Sequence, residues 1–167
     1  MEETKLEASV VICTLNNLKG LKVCIESIEN QAYKPKEIII VHAGDFGHTE
    51  DYIKKLNSVS TLNYIFISSI KSLVLQRNIG IENATGDVVF FIDDDATLGL
   101  EYLGNIMNFY NNNSEIDLGG VQGTIYQHKM QKPSIYSIFR KLALASVTNG
   151  SGTLQRSGYP SFLYLLI

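Results

Sequence analysis

The chain has 167 residues, of which 45% are hydrophobic and 19% charged, and this composition fits one compact globular domain. Its net charge of −3 argues against nucleic acid as the main partner. No apolar run is long enough to cross a bilayer, and the polar N-terminus lacks the apolar core of a signal peptide, so we expect a cytoplasmic protein. Cys13 and Cys24 fall within predicted elements and are expected to be small buried groups without a disulfide.

Apolar runs alternate with amphipathic stretches along the first two thirds of the chain. This alternation predicts an α/β fold with a mostly parallel sheet flanked by helices. Right-handed crossovers then bring the carboxyl ends of all strands to one edge, where open α/β sheets bind ligands. The predicted strands are residues 8–13, 37–41, 62–67, 88–92 and 117–126, and the predicted helices are residues 18–30, 49–56, 68–83, 102–110 and 135–145.

The third predicted helix combines an apolar stripe with two polar residues. Val74, Leu75 and Ile79 belong to the stripe, which ends at Ile81. The spacing places Arg77 and Asn78 within or beside it, and polar groups that face inward need partners. These two side chains are therefore expected either to cap a neighbouring loop or to contact a ligand.

The fourth predicted strand leads into three consecutive carboxylates, Asp93 to Asp95. Its five apolar residues in a row predict a strand that is buried on both faces. In an extended segment alternate residues share a face, so Asp93 and Asp95 are expected to point to the same side. Carboxylate oxygens suit Mg²⁺ or Mn²⁺ better than zinc, and such ions bind the oxygens of a di- or triphosphate. The sequence thus favours nucleotide-activated group transfer, while a solvated acidic turn is the plain structural alternative.

Charge is distributed unevenly. All seventeen Asp and Glu residues lie at or before Asp117, whereas five of the fourteen Lys and Arg residues lie after it. Such a basic segment could contact phosphates or anionic lipid head groups, so peripheral contact with a membrane is one expectation. An ordinary surface, with acidic partners outside this sequence, is the other.

Four segments carry a resemblance that covers about the first 125 residues. They are SVVICTLNN from Ser9, ESIENQAYKPKEIIIV from Glu26, QRNIGIENATGDVVFFIDDD from Gln76 and GGVQG near Gly119. In these segments the chain resembles family 2 glycosyltransferases, which have the GT-A (Rossmann-like) fold. The resemblance implies a nucleotide-sugar-binding core over residues 1–125. It also implies an incomplete acceptor-side region over residues 126–167, so the domain is expected to be truncated at its C-terminus.

The resemblance also implies a reaction and a metal site. A nucleotide-diphosphate sugar would donate its sugar, with inversion, to a saccharide, lipid-linked or protein acceptor. By position, Asp93 and Asp95 correspond to the metal-binding D-x-D pair of the family, with Asp95 as the direct ligand of Mg²⁺ or Mn²⁺. Asp94 lies between them and would belong to the donor site.

Further donor-site residues follow from the same resemblance. Thr14 and Asn16 would line the nucleotide pocket, and Arg77 would approach the nucleotide or its diphosphate. His42 begins the pair that stands where the family usually has an acidic pair facing the base. This leaves His42 itself or Asp45 as the predicted contact to the base.

Two other departures from the family concern stiffness and catalysis. Cys13 replaces a usual proline, which affects the stiffness of the loop. The family's catalytic base is an acidic residue well downstream of the D-x-D sequence, and no carboxylate follows Asp117 here. The base is therefore unknown and is expected to lie beyond this sequence or to be missing. A catalytically incomplete remnant that still binds a nucleotide sugar is the first alternative.

The second alternative is a phosphatase. Residues 92–97 also fit the haloacid-dehalogenase pattern of a hydrophobic run followed by D-x-D-x-T. Asp93 would then be the nucleophile and Asp95 the general acid. Such enzymes need a further acidic pair after this strand, and the carboxylate-free segment after Asp117 does not supply a complete one.

Overall fold

The computed structural model describes residues 5–45, 47–113 and 119–123. The chain divides into two compact units, Met1–Ser114 and Glu115–Ile167, and every helix and strand described below belongs to the first. The predicted boundary between residues 125 and 126 stays a prediction. The predicted helix over residues 135–145 lies outside the described residues, as does half of the predicted strand over residues 117–126. In the described half, residues 119–123, Gln122 forms a single bridge and no strand is present.

Four strands and four helices alternate in the first unit. Each one corresponds to a predicted element, with ends that differ by a few residues. In chain order they are β1 (Ala8–Leu15), α1 (Leu18–Glu29), β2 (Glu37–Ala43), α2 (Gly47–Val59), β3 (Asn63–Ser69), α3 (Leu73–Asn83), β4 (Val88–Asp93) and α4 (Tyr102–Asn112).

The four strands form one parallel sheet in the order β3-β2-β1-β4. Cys13 near the end of β1 pairs with Val41 of β2 on one side and with Asp93 of β4 on the other. Because all strands run in the same direction, their carboxyl ends lie at the same edge. The prediction of a parallel α/β sheet is confirmed.

The two central strands are covered on both faces. Val10 and Ile12 point to one face of β1 and Val11 to the other, and all three are at most 1% exposed. Val11 packs in a cluster with Ile39 and Val41, against which Ile79 of α3 is also packed. Burial on both faces explains why these strands are continuous apolar runs without polar alternation.

The prediction that β4 is buried on both faces is wrong for the described residues. Phe90 and Ile92 are buried, but Phe91, on the opposite face, is 43% exposed. Within the described sheet β4 is an edge strand, paired with β1 alone. A run of apolar residues indicates a strand but does not show how many neighbours cover it.

The predicted start and buried face of α3 are also wrong. Ser69 completes β3, and the helix begins at Leu73 because the Ser72 hydroxyl accepts a hydrogen bond from the first-turn amide of Leu75. Its buried residues are Gln76 and Gly80, whereas Val74, Ile81, Arg77 and Asn78 are exposed. Gly80 allows this face of the helix to pack closely on the sheet, since a Cβ at Gly80 would collide with the side chain of Val11. The helix thus approaches the sheet along its least bulky side.

Among the helices in the described part of the chain, none has the length and apolar character needed to cross a bilayer.

Candidate functional site

A cavity of about 700 Å³ opens at the carboxyl edge of the sheet. Its walls come from the loops after β1, β3 and β4 and from the beginning of α3. This is the position that the topology predicts for a ligand site. The lining residues are Cys13, Thr14, Leu15, Asn17, Lys71, Ser72, Leu73, Gln76, Asp93, Asp94 and Asp95.

The middle carboxylate of the acidic run is held by the loop after β1. The Thr14 hydroxyl donates to one carboxylate oxygen of Asp94 at 2.5 Å, and the Asn17 amide donates to the other at 3.1 Å. Asp94 is half-buried, and the two bonds satisfy both of its oxygens. Asp94 therefore joins the ends of β1 and β4 instead of facing open solvent.

The outer two carboxylates, Asp93 and Asp95, are exposed. The chain turns directly after β4, with the Ala96 amide donating to the Asp93 carbonyl at 3.0 Å. The premise of an extended segment through Asp95 is therefore wrong, although both residues still line the same cavity. In the described part of the chain, no hydrogen bond or ion pair engages the Asp95 carboxylate.

Arg77 lies beside the acidic run. Its Nη2 is 3.8 Å from Oδ1 of Asp93, and both side chains are well exposed. The guanidinium also lies over the ring of Phe91, 5.9 Å from its centre. Arg77 does not line the cavity wall, but it supplies a cation next to the carboxylate at the cavity mouth.

The donor set suits a divalent cation that is shared with a ligand. Within residues 5–45, 47–113 and 119–123, no three His, Cys, Asp or Glu side chains converge into a closed cage. Mg²⁺ is usually bound by one or two carboxylates together with substrate phosphates and water. Asp93 and Asp95, exposed and close in sequence, provide such a pair of hard oxygen ligands. These residues fit Mg²⁺ or Mn²⁺ and do not resemble a structural zinc site.

Gln76 was not predicted as a site residue. It is only 4% exposed, and its amide nitrogen donates to the Thr14 carbonyl at 3.0 Å and to the Val41 carbonyl at 2.7 Å. The side chain thereby links α3 to the ends of β1 and β2 and supports the cavity floor. The inward polar position that the sequence suggested for Arg77 is in fact occupied by its neighbour.

Three predicted contacts to the nucleotide do not line the cavity. Asn16 has a positive φ of 53°, and its side-chain oxygen accepts from the Asp45 amide at 2.9 Å, which joins the loops after β1 and β2. His42 is fully buried within β2, and burial lowers the pKa of its imidazole. Asn16 and Asp45 therefore meet at the junction of the loops after β1 and β2, whereas the side chain of His42 is enclosed within the fold.

The structure adds Asn17, Lys71 and Ser72 to the predicted lining residues. Lys71 and Ser72 follow β3, whose carboxyl end lies at the same edge as those of β1 and β4. Because parallel strands end at the same edge of a sheet, residues that follow β3 are expected at the site. The sequence pattern instead assigned Lys71 and Ser72 to a helix beginning at residue 68. Asn17 also caps α1.

Neither cysteine is suited to act as a nucleophile. Both are free thiols, and Cys13 lines the cavity while Cys24 is buried in α1. Burial raises the pKa of Cys13, and it raises the pKa of Cys24 to about 12, with nearby aspartates acting in the same direction. Both groups therefore remain protonated at neutral pH, when the thiolate is the reactive form.

A family model for glycosyl transferase family 2 matches residues 9–154. The chain belongs to this family. Among its curated relatives, the glucosyl-dolichyl phosphate glucuronosyltransferase of Haloferax volcanii is 30% identical over 132 residues, which are 72% of this chain and 38% of the relative. The poly(ribitol-phosphate) β-N-acetylglucosaminyltransferase TarP of Staphylococcus aureus is 33% identical over 124 residues, or 70% of this chain and 38% of TarP.

Solved structures show the same fold. Residues 1–349 of S. aureus TarS align with a TM-score of 0.60 at 22% identity, covering 75% of this chain and 39% of that one. The mannosyltransferase PcManGT from Pyrobaculum calidifontis, in complex with GDP-Man and Mn²⁺, aligns with a TM-score of 0.57 at 18% identity, covering 64% of this chain and 32% of that one. The GT-A fold is therefore confirmed for this glycosyltransferase-family chain.

Family membership favours the glycosyltransferase over the phosphatase. The homologues support a transferase, and the family model extends across the acidic run that suggested a phosphatase. The chain spans little more than a third of the curated relatives it matches first, 38% in each case. The donor-binding remnant therefore stays as the alternative to an active enzyme.

Proposed function

We propose that the chain binds a nucleotide-diphosphate sugar in the cavity at the carboxyl edge of the sheet. The protein then transfers the sugar, with inversion, to a saccharide, lipid-linked or protein acceptor. One observation carries the proposal: Asp93 and Asp95 are exposed at the cavity while Asp94 between them is fully engaged. Asp95 has no partner among the described residues and Asp93 pairs only with the exposed guanidinium of Arg77, so both carboxylates remain accessible to a ligand.

The cavity walls offer charge of both signs to a diphosphate. Asp93 and Asp95 would hold Mg²⁺ or Mn²⁺, and that ion would offset the charge on the diphosphate as it leaves the sugar. Lys71 lies in the cavity lining, and Arg77 lies beside Asp93, so each can approach a phosphate oxygen directly. Thr14 and Gln76 keep the cavity floor in place through their hydrogen bonds.

The solved neighbours support this class of ligand. TarS has been determined with UDP-GlcNAc and with UDP, and PcManGT with GDP-Man and Mn²⁺. At identities of 18% to 22% these likenesses do not select a base or a sugar for this chain. Uracil and guanine donors are therefore both candidates.

Isothermal titration calorimetry tests donor binding. UDP, GDP, UDP-GlcNAc and GDP-Man are titrated into the full chain with Mn²⁺ and, separately, with EDTA. We expect one of the bases to bind only when Mn²⁺ is present, and Asp93→Ala and Asp95→Ala to abolish that binding. Binding of equal strength in EDTA, or none by any of the four ligands, would contradict the proposal.

Turnover distinguishes the enzyme from the remnant. No carboxylate follows Asp117, so nothing in that segment can act as the carboxylate base of the family. If these residues form a donor-binding remnant, the chain binds donor without hydrolysing or transferring it. Donor hydrolysis or transfer by the 167-residue chain, lost in Asp95→Ala, would establish the enzyme and exclude the remnant.

A further inference from the structure

One face of α1 contacts the segment that follows β4. The residues concerned recur every three or four positions, so they form a single stripe along the helix axis. The stripe begins at the N-terminal cap of α1 and ends just beyond its last residue. Its members are Asn17, Gly20, Cys24, Ser27 and Gln31.

At the N-terminal end of the stripe, the Asn17 amide makes two connections. Its oxygen accepts from the Gly20 amide at 3.1 Å and thereby caps α1, while its nitrogen donates to Asp94 at 3.1 Å. A Cβ on Gly20 would lie 2.8 Å from the Asp94 carbonyl oxygen. The first turn of α1 and the turn after β4 are therefore in direct contact, and Asn17 holds them together.

Farther along the stripe, buried polar side chains hold the rest of the segment. The Cys24 thiol lies 3.5 Å from the Asp93 carbonyl, and the Ser27 hydroxyl accepts from the Leu98 amide at 3.1 Å. Gln31 is 1% exposed, donates to the Gly99 carbonyl at 2.6 Å and accepts from the Leu103 amide at 3.0 Å. The backbone that carries the acidic run is thus attached to α1 both before and after the turn.

We propose that Asn17 is a positioning residue for the metal-binding carboxylates. Its bond to Asp94 fixes the turn at residues 93–96, so that Asp93 and Asp95 already face the cavity before a ligand arrives. Three adjacent carboxylates repel one another, and the donors from Asn17 and Thr14 compensate the middle one. The proposal rests on the proposed function, because positioning matters only if the outer carboxylates bind metal and diphosphate.

Two substitutions separate this role from helix capping. Serine caps a helix as well as asparagine does, but its short side chain does not extend to Asp94 as the amide does. We therefore expect Asn17→Ser, which keeps the cap but loses the bond to Asp94, to lower the melting temperature less than Asn17→Ala does and to weaken Mn²⁺-dependent binding of UDP or GDP about tenfold. Asn17→Ala should weaken binding equally and also lower the melting temperature. The matched control is Asn83→Ala, which removes an exposed asparagine bonded only to its own helix and should change neither quantity.

Amide hydrogen exchange at Ala96 provides a readout that needs no turnover. This amide donates to the Asp93 carbonyl and closes the turn, so Asn17→Ser should speed its exchange while Asn83→Ala does not. Unchanged affinity together with unchanged Ala96 exchange in Asn17→Ser would overturn the positioning role alone. Failure of the wild-type chain to bind either nucleotide with Mn²⁺ would overturn the proposed function and, with it, this inference.

Discussion

Glu37 at the amino edge of the sheet and the outer two carboxylates at the carboxyl edge, Asp93 and Asp95, differ in burial and in hydrogen bonding. At the amino edge, Glu37 is 3% exposed and accepts hydrogen bonds from the Ser9 hydroxyl at 2.7 Å and from the Thr85 amide at 2.6 Å. At the carboxyl edge, Asp93 and Asp95 are exposed, and Asp95 makes no hydrogen bond to the described residues. Oε1 of Glu37 thus accepts three hydrogen bonds, the third from the Thr85 hydroxyl, whereas the Asp95 carboxylate accepts none from the described residues.

This difference is the basis for assigning a structural role to Glu37 and for proposing a ligand-binding role for Asp93 and Asp95. Around Glu37 the bonds form a closed set, since the Ser9 hydroxyl that donates to it also accepts from the Gly86 amide at 2.8 Å. A buried network of this kind stabilises the fold only when each member is satisfied. Asp93 is exposed and pairs only with the exposed guanidinium of Arg77 at 3.8 Å, and Asp95 has no partner among the described residues, so neither carboxylate is enclosed by the fold. The predictions below test this division.

The largest expected effect is at the amino edge. Glu37→Ala leaves the buried Ser9 hydroxyl without its acceptor and removes two further hydrogen bonds from Thr85, so we expect a loss of about 3 kcal/mol in the free energy of unfolding. Urea denaturation measures it. The control is Glu82→Ala on the exposed surface of α3, which should cost less than about 0.5 kcal/mol. Weaker nucleotide binding by the folded Glu37→Ala protein would contradict the separation of the two edges.

Gly20→Ala should affect both stability and binding. The added methyl group would collide with the Asp94 carbonyl and the Asn17 side chain, at a cost of about 2 kcal/mol, offset by about 1 kcal/mol because alanine favours a helix. Gly47→Ala in the first turn of α2 meets no atom within 4 Å and should be neutral or slightly stabilising. Urea denaturation and UDP or GDP titration of both variants check the expectation, and equal behaviour of the two would refute it.

The pH dependence of stability should reveal Glu37. Burial alone would raise its pKa, but the hydrogen bonds from Ser9 and Thr85 outweigh burial and lower the pKa below its ordinary value. A pKa that is lower in the folded state stabilises the protein above the unfolded value of about 4.3. This stabilisation is lost as pH falls through the folded pKa. Urea unfolding between pH 3 and 7 should show a weaker pH dependence in Glu37→Gln, and an identical slope would disprove the assignment.

The smallest effect on stability should come from the acidic run itself. Asp95→Ala removes an exposed carboxylate with no partner in the described structure, so the free energy of unfolding should change by less than about 0.5 kcal/mol. Removing one of three adjacent negative charges could even stabilise the chain slightly. A loss above about 2 kcal/mol in urea denaturation would show that Asp95 is structural.

Strands and their order of appearance could be predicted because the central ones are continuous β-branched runs, such as Ile38 to Val41. The buried face of α3 could not be predicted. It is formed by Gly80, which allows a close approach to the sheet, and by Gln76, which forms hydrogen bonds, and neither residue contributes to an apolar periodicity. The position of the acidic run at the carboxyl edge of the sheet could be predicted from the apolar strand that precedes it and the crossover rule. The engagement of Asp94 could not be predicted, since its partners lie some eighty residues earlier in the chain.

The most direct test of the division is the melting temperature with and without Mn²⁺ plus the nucleotide that binds. A ligand at one hundred times its Kd stabilises the folded state by about 2.7 kcal/mol. We predict that Glu37→Gln melts lower than the wild type but gains the same increment from the ligand, while Asp95→Ala melts normally and gains none. An undiminished increment in Asp95→Ala would contradict the assignment of the donor site to the carboxyl edge.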